Sequence, residues 1–131
     1  MTKLIRRYYE IFNTGDRESL LALLHPEVVH ELNEGGVETG IEAFRTYLAR
    51  MDRSYREKVG DLVLFQGEDP SRAAAEFFVR GEYLVTDEGL PEARGQTYRI
   101  RAGAFFEVRD GLIGRVTNHY NLAAWLRMVS G

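Results

Sequence analysis

The sequence predicts an α+β fold, because helical and strand patterns occupy largely separate parts of the chain. Apolar residues recur at helical spacing over most of the first 55 residues, whereas from Val59 onward they tend to alternate with polar residues, as in strands. A helical half followed by a run of strands is typical of a sheet whose one face is covered by helices. The 131 residues fit one domain, residues 1–131, with one core and one site.

Three helices and one strand are predicted in the N-terminal half. The first helix covers about residues 3–13 and ends at Gly15, a residue suited to a left-handed cap. Asp16 is a plausible cap for a short second helix rich in leucine. Val28–Leu32 reads as a strand, and Ile41–Tyr55 as a longer third helix with one apolar face. We therefore expect a helical hairpin, a strand and a long helix, in that order.

The C-terminal half predicts four long antiparallel strands. Turn-forming stretches rich in Gly, Asp and Pro separate them, and Asp110-Gly111 is a typical hairpin turn. Trp125, Leu126 and Val129 indicate a terminal helical turn. A meander of this kind, covered by helices on one face, can enclose a pocket. The four strand runs are Leu62–Phe65, Ala73–Val85, Tyr98–Val108 and Leu112–Tyr120.

Composition argues against several classes of function. The formal charge is −3, from 20 acidic and 17 basic residues, and no basic stripe offers a surface for nucleic acid. The chain has no cysteine, which excludes disulfides, thiolate nucleophiles and cysteine metal sites. No apolar run reaches the roughly 18 residues of a membrane span, and the N-terminus lacks the apolar core of a secretion signal. We expect a cytoplasmic protein with no nucleic-acid or membrane partner.

Alternation along the strands predicts which side chains face a pocket. Ala102 and Ala104 lie on the inner face, where larger residues would fill a packed core, so they leave room for a ligand. On the last strand, Asn118 and Tyr120 place an amide and a phenol among apolar neighbours. The pocket is therefore expected to be mostly apolar, with a few polar groups.

Charged residues of the same strands are predicted on the opposite, outer face. Glu76 and Glu82 can oppose Arg99 and Arg101 across neighbouring strands, and such pairs contribute about 0.2–1 kcal/mol each. We favour structural ion pairs for these arginines, with anion binding as the alternative, which is most open for Arg101.

Two segments carry a resemblance to a known family. Residues 7–16 read Arg-Tyr-Tyr-Glu-Ile-Phe-Asn-Thr-Gly-Asp, and residues 25–31 read His-Pro-Glu-Val-Val-His-Glu. Both resemble the opening of ketosteroid isomerase-like and SnoaL-like proteins of the nuclear transport factor 2-like superfamily, and nearly the whole chain resembles the ketosteroid isomerase-related proteins. The resemblance implies a cystatin-like, cone-shaped barrel, in which a curved mixed or antiparallel sheet wraps around the long helix. It also implies a small apolar ligand and a homodimer formed through the outer sheet face.

The same resemblance implies two catalytic residues. Ketosteroid isomerases use a strand carboxylate to shuttle a proton between carbons, and a helix tyrosine to stabilise the enolate oxygen. Counting back from Gly40 places the carboxylate at Glu31, and counting back from Gly15 places the tyrosine at Tyr8. The position of the second oxyanion donor falls at Ala104, which has no donor, and losing one donor typically costs about 100- to 1000-fold in rate. The residues predicted to bind the substrate are Asn33, Leu48, Phe77, Ile100, Ala102, Ala104, Val116, Asn118 and Tyr120.

Other interpretations of these residues stay open. Glu31 is either a functional carboxylate or a side chain in solvent, and His30 has the opposite parity, so a one-residue change of register would exchange the two. Tyr8 is either a hydrogen-bond donor or a core aromatic residue. His25, His30 and His119 lack the spacing of a metal site, and no phosphate-binding loop appears. Any chemistry is therefore expected to need no cofactor.

Three classes of function follow from the sequence. The favoured one is a proton-transfer enzyme, of the isomerase or polyketide cyclase kind, that acts on an apolar carbonyl compound with Glu31 as general base. The second is a noncatalytic pocket that binds a small apolar ligand. The third is a dimerisation module, because a fold alone does not determine a function.

Overall fold

The computed structural model describes residues 1–131 and confirms the predicted α+β fold. Four helices and six strands make up the fold, and the strands belong to a single sheet. None of the helices combines the length and the apolar character that a membrane crossing requires. The elements are α1 (Thr2–Thr14), α2 (Arg17–Leu21), β1 (Leu24–Glu31), β2 (Val37–Thr39), α3 (Ile41–Ser54), β3 (Tyr55–Gln66), β4 (Arg72–Tyr83), β5 (Gln96–Arg109), β6 (Leu112–Tyr120) and α4 (Leu122–Ser130).

The strands form a curved, unclosed sheet in the order β2-β1-β6-β5-β4-β3. All neighbours are antiparallel except β1 and β6, which are parallel. The register shifts between Gly60 and Val63 on β3 and between Glu107 and Val108 on β5, and such bulges bend a strand. The sheet therefore curls into a cone, and α1 and α3 pack against its concave side.

The end of α1 is tied to the start of β3 by one side chain. Gly15 ends the helix with φ 82°, a left-handed conformation that glycine adopts without strain. Asn13 Nδ2 donates to the Val59 carbonyl at 2.9 Å, and Val59 N–H donates to Asn13 Oδ1 at 2.8 Å. These two bonds satisfy the backbone N–H and C=O of Val59 on the free edge of β3, so Asn13 fixes where α1 crosses the sheet.

Aromatic side chains fill one end of the cone. Tyr8 and Tyr9 of α1 pack on Phe77 of β4 and Phe106 of β5, with ring centroids 4.8 Å apart for Tyr9 and Phe77 and 5.8 Å apart for Tyr8 and Phe106. All four residues are buried. This cluster joins the N-terminal helix to the middle of the sheet and is the larger of the two core clusters.

A second core cluster closes the other end of the cone. Trp125 of α4 packs against Tyr55, Tyr83 and Tyr98 of three neighbouring strands. Asn121 caps α4 by accepting a hydrogen bond from Ala124 N–H at 3.0 Å. The predicted terminal helical turn is thus a nine-residue helix, with an apolar face long enough to cover the end of the sheet.

Some elements differ from the sequence prediction. The strand predicted over Val28–Leu32 is β1, which begins four residues earlier, at Leu24, and ends at Glu31. Tyr55 continues the apolar face of α3, but it is the first residue of β3, a strand of 12 residues that was predicted only over Leu62–Phe65. The strand β2 was not predicted, because three residues are too short to show alternation. The longer β3 brings Glu57 to the inner face beside Tyr55 and Val59, which the shorter prediction left out.

The outer face carries the charges, as predicted. Arg101 NH1 lies 3.0 Å from Glu76 Oε1, which confirms one of the expected cross-strand pairs. Arg99 pairs instead with Asp61, a residue at the β3 bulge, at 3.5 Å. Both guanidinium groups also lie over the ring of Phe78, at 3.6 and 4.4 Å. These exposed pairs contribute little to stability, about 0–1 kcal/mol each.

Substitution Asn13→Ala is expected to lower the free energy of unfolding by about 1–3 kcal/mol, because it leaves both polar groups of Val59 without a partner. Urea denaturation followed by circular dichroism measures the change. Glu10→Ala, an exposed change on the same helix, is the control and should stay within about 0.5 kcal/mol of wild type. Equal stability of the two variants would show that Asn13 does not hold α1 on the sheet.

Candidate functional site

The concave side of the sheet encloses a cavity of about 470 Å³. This volume falls in the range of sites for small organic ligands, about 300–1,000 Å³. Most residues of its wall are hydrophobic, and aromatic rings dominate, so the wall suits the body of an apolar, planar ligand. The aromatic residues of the wall are Tyr8, Tyr9, Phe12, Phe44, Tyr47, Tyr55, Phe77, Tyr98, Tyr120 and Trp125, together with the ring of His30.

His30 is a buried titratable residue of this wall, and two aromatic rings pack against its imidazole. It lies near the end of β1 and is only 1% exposed. Its ring stacks on Phe44, with centroids 4.6 Å apart, and meets the edge of Tyr47 at 4.5 Å. Both aromatic residues come from α3, so the helix that crosses the cone fixes the plane of the imidazole.

Hydrogen bonding of His30 indicates a neutral ring with its proton on Nδ1. Asn118 Nδ2 lies 3.1 Å from Nε2 and donates to it, which leaves Nε2 as the acceptor. Nδ1 faces Glu38 Oε1 at 4.0 Å, too far for a hydrogen bond, and neither atom has another partner in the protein. Burial lowers the pKa of His30 to about 4, because the charged form would lose its hydration. The side chain is thus an unprotonated base at neutral pH.

The prediction that Glu31 faces the cavity is wrong. Glu31 follows His30 on β1 and therefore points to the opposite face of the sheet. There it accepts a hydrogen bond from Thr117 and lies 3.4 Å from Arg115 NH1. The pairing of β1 with β2 and β6 fixes this register, so the sequence comparison that selected Glu31 missed the inward residue by one position.

Eight of the other predicted site residues line the cavity, but two do not. Ala104 and Val116 face inward, yet they are 1% and 0% exposed and belong to the core cluster around Tyr8 and Phe106. At this end the aromatic side chains of α1 occupy the space that the alanine leaves. The predicted residues on the cavity wall are Tyr8, Asn33, Leu48, Phe77, Ile100, Ala102, Asn118 and Tyr120.

Phenol hydroxyls supply most hydrogen-bond donors of the wall. The hydroxyls of Tyr8, Tyr9 and Tyr47 have no hydrogen-bond partner within the protein, and burial raises the pKa of all three, so they stay protonated. Tyr120 is already engaged, because its hydroxyl donates to Glu34 Oε1 at 3.0 Å. Asn33 has a structural task, since its Oδ1 accepts the Tyr120 N–H at 2.8 Å. Tyr8, Tyr9 and Tyr47 are therefore the phenols left to donate to a ligand oxygen.

Sequence reasoning missed a second polar group in the cavity, the pair of Glu57 and Tyr98. The Tyr98 hydroxyl donates to Glu57 Oε2, and both side chains lie on the wall. Burial raises the pKa of Glu57, against the opposing effects of the Tyr98 bond and the Arg17 charge. The signal available in the sequence was the alternation of Tyr55, Glu57 and Val59, but Tyr55 also fits the helical spacing of the predicted third helix.

No three potential metal-ligating side chains converge anywhere in the chain. The polar groups of the cavity are spread over several strands and helices, in pairs such as His30 with Asn118 and Glu57 with Tyr98. Such an arrangement can hold an organic ligand and exchange protons with it at separate positions.

Comparisons with known proteins agree with this architecture. A crystal structure of a candidate polyketide cyclase from Xanthomonas campestris pv. campestris is 50% identical, with a TM-score of 0.93 over 97% of this chain and 94% of that one. A second, from Pseudomonas putida, is also 50% identical, with a TM-score of 0.94 over 96% and 95% of the two chains. A third, from Silicibacter, is 49% identical, with a TM-score of 0.96 over 99% and 95%. No curated protein matches the chain.

The family model of the SnoaL-like domain matches residues 5–116, which include most of α1, all of α3, His30 and most of the cavity wall. The chain also shares the fold of a nuclear transport factor 2-like protein from Burkholderia pseudomallei, with 16% identity and a TM-score of 0.78 over 99% of this chain and 97% of that one, as the sequence resemblance implied. The chain belongs to the SnoaL-like domain family.

Proposed function

We propose that this protein is a cofactor-free proton-transfer enzyme, of the isomerase or polyketide cyclase kind, and that His30 is its general base. The observation that carries the proposal is the neutral imidazole of His30 on the wall of an aromatic cavity, with its Nε2 as acceptor. A base in such a position can remove a proton from a carbon next to a carbonyl group. The substrate is an apolar carbonyl compound, since the wall around the imidazole is mostly apolar.

Asn118 has two parts in this chemistry. A substrate that brings its C–H group to Nε2 displaces the Asn118 amide, and the freed N–H group can then donate to the carbonyl oxygen of the substrate. Tyr8 and Tyr47 add donors that the protein itself does not use. Such donors stabilise the enolate oxygen that forms when the proton leaves, and they replace the donor that Ala104 lacks.

Glu38 lies on the Nδ1 side of the His30 ring and can stabilise its charged form. Its Oε1 faces Nδ1 of His30 at 4.0 Å across the pair of strands β1 and β2. When His30 takes a proton, the imidazolium gains a carboxylate close to its other N–H group, which favours the charged form during the reaction. The Oε1 atom of Glu38, which has no hydrogen-bond partner, thus interacts favourably with His30 only once the ring is charged.

The comparisons support this proposal at the level of reaction class. The three structures that are 49–50% identical to this chain are described as candidate polyketide cyclases. A cyclisation of the aldol type forms a carbon–carbon bond from an enolate, so it needs the same base and oxyanion donors as an isomerisation. A noncatalytic pocket for a small apolar ligand is the second candidate, favoured by the apolar wall.

Substitution His30→Gln is expected to lower proton exchange at the α-carbon of bound ketones by about 100- to 10,000-fold, the usual range for a general base. Small cyclic ketones and 3-ketosteroids in deuterium oxide, followed by proton NMR, serve as probes. Glu31→Gln is the matched control on the same strand and should keep the wild-type rate. Loss of exchange in Glu31→Gln but not in His30→Gln would overturn the assignment, and tight binding without exchange in wild type would favour the binding protein.

The buried neutral His30 is expected to make stability depend on pH. Because its folded pKa of about 4 lies below the ordinary value of 6.5, the unfolded chain binds a proton first as the pH falls. The stability that the protein gains from keeping His30 neutral is fully present above about pH 6.5. As the pH falls towards 4, the free energy of unfolding decreases by about 3 kcal/mol. Urea denaturation should show this extra loss in wild type and not in His30→Gln. The same slope in both proteins would mean that His30 is not held neutral.

The outer sheet face is the proposed surface of a homodimer. Phe65 and Phe105 lie on either side of Ala74 across β3, β4 and β5, and they are 51% and 50% exposed. Such a contiguous apolar patch is typical of an interface between subunits. Sedimentation velocity is expected to show a dimer for wild type and a monomer for Phe105→Glu. A monomeric wild type at micromolar concentration would contradict this part of the proposal.

A further inference from the structure

A second proton-bearing group faces the cavity from a different wall than His30. Glu57 lies on β3, at one edge of the sheet, whereas His30 lies on β1, next to the opposite edge. The strands are not paired with each other, but the sheet curls into a cone, so both side chains line the same cavity. A ligand in the cavity can therefore contact the imidazole and the carboxyl group with different atoms.

Tyr98, on a strand two positions away in the sheet, holds the Glu57 side chain in place. Glu57, Gly81 and Tyr98 stand in one row across β3, β4 and β5, because Gly81 is the register partner of both other residues. A methyl group on Gly81 would overlap the Tyr98 ring. The glycine thus leaves a gap through which Tyr98 lies across β4 and donates its hydroxyl to Glu57 Oε2. With Oε2 occupied, Oε1 is the oxygen left to carry a proton.

The surroundings of Glu57 keep it from forming an ion pair. The charges nearest to it are Arg17 and Asp52, which bind each other through two hydrogen bonds of 2.8 and 2.6 Å. The other neighbouring groups, Tyr47 and Tyr98, are phenols that stay protonated. Burial raises the pKa of Glu57, so the carboxyl group keeps a proton at higher pH than an exposed glutamate does.

A single base suffices to move a proton between two carbons, so the proposed role of His30 leaves Glu57 without a role in the reaction. From its position we infer that Glu57, held by Tyr98, is a general acid that protonates a hydroxyl oxygen of the ligand, whose class is a β-hydroxy carbonyl compound. The inference rests on the proposed role of His30 as base. It adds the elimination of water to the proton exchange that His30 alone can support.

The elimination of water by His30 and Glu57 needs no further reactant. His30 takes the proton from the carbon between the carbonyl group and the hydroxyl-bearing carbon, and the electron pair of that C–H bond forms the C=C bond. The C–O bond breaks with its electron pair on oxygen, and Glu57 gives its proton to that oxygen, which leaves as water. The product is a conjugated enone, with His30 protonated and Glu57 ionised. Return of one proton from His30 to Glu57 through solvent restores both groups.

The aldol of benzaldehyde and acetone is a suitable probe, since its phenyl ring fits an aromatic wall and its dehydration product, benzalacetone, absorbs in the ultraviolet. Proton exchange at the α-carbon in deuterium oxide reports on His30, and formation of the enone reports on both groups. Glu57→Gln is expected to slow enone formation by at least about 100-fold and exchange by less than about tenfold. His30→Gln slows both, and Glu76→Gln, an outward-facing glutamate on β4, is the control and leaves both rates as in wild type.

The outcomes separate the two claims. Exchange without enone formation in wild type, or an equal effect of Glu57→Gln on both signals, overturns the role of Glu57 and leaves His30 as the base. Absence of both signals in wild type overturns both claims for this class of ligand.

Should Glu57→Gln fail to fold, Tyr98→Phe is the second variant. It removes the donor to Glu57, so carbon NMR of carboxyl-labelled glutamate must show a higher pKa for Glu57 in Tyr98→Phe than in wild type, and an unchanged value contradicts the pair.

Discussion

The parallel pairing of β1 with β6 determines which chemistry the cavity can hold. His30 lies opposite Val116, a fully buried residue, and Glu31 lies opposite Thr117 on the outer face. A shift by one residue would turn the imidazole outward and bring a carboxylate into an apolar wall, at a large cost in hydration. The register therefore selects a base that is uncharged at neutral pH over one that is charged. The low pKa of His30 and its place between Phe44 and Tyr47 follow from the same pairing.

The polar groups of the cavity are each supported by a neighbouring strand. Asn118 of β6 orients His30 of β1, and Tyr98 of β5 reaches Glu57 of β3 across Gly81 of β4. Because these partners come from the rigid sheet and not from loops, the groups stand at fixed positions around the ligand. The cavity thus combines a stable apolar wall with a few placed proton donors and acceptors, which is what enolate chemistry requires.

Much of this fold follows from the sequence, because long elements repeat their pattern many times. The alternation of β4 and β5 over a dozen residues fixes their inner faces, and Ala102 and Phe77 were assigned to the cavity on that basis. The short strand β1 shows the limit of such reasoning. In Val28–Leu32 apolar residues lie on both sides of His30 and Glu31, so their pattern does not choose a face, and only the pairing with β2 and β6 does. Glu57 is not predicted as a cavity residue for a related reason, since Tyr55 fits the end of α3 as well as the start of β3.

The central claim is that His30 is a neutral base whose Nε2 carries no proton at neutral pH. Nitrogen NMR of histidine-labelled protein tests this claim most directly, because the two ring nitrogens have different shifts in each protonation state. The structure predicts that His30 is in the neutral form with its proton on Nδ1 at about pH 7, and that its ring becomes charged only near pH 4. A His30 signal that shows a charged ring at neutral pH, or a proton on Nε2, would contradict the account.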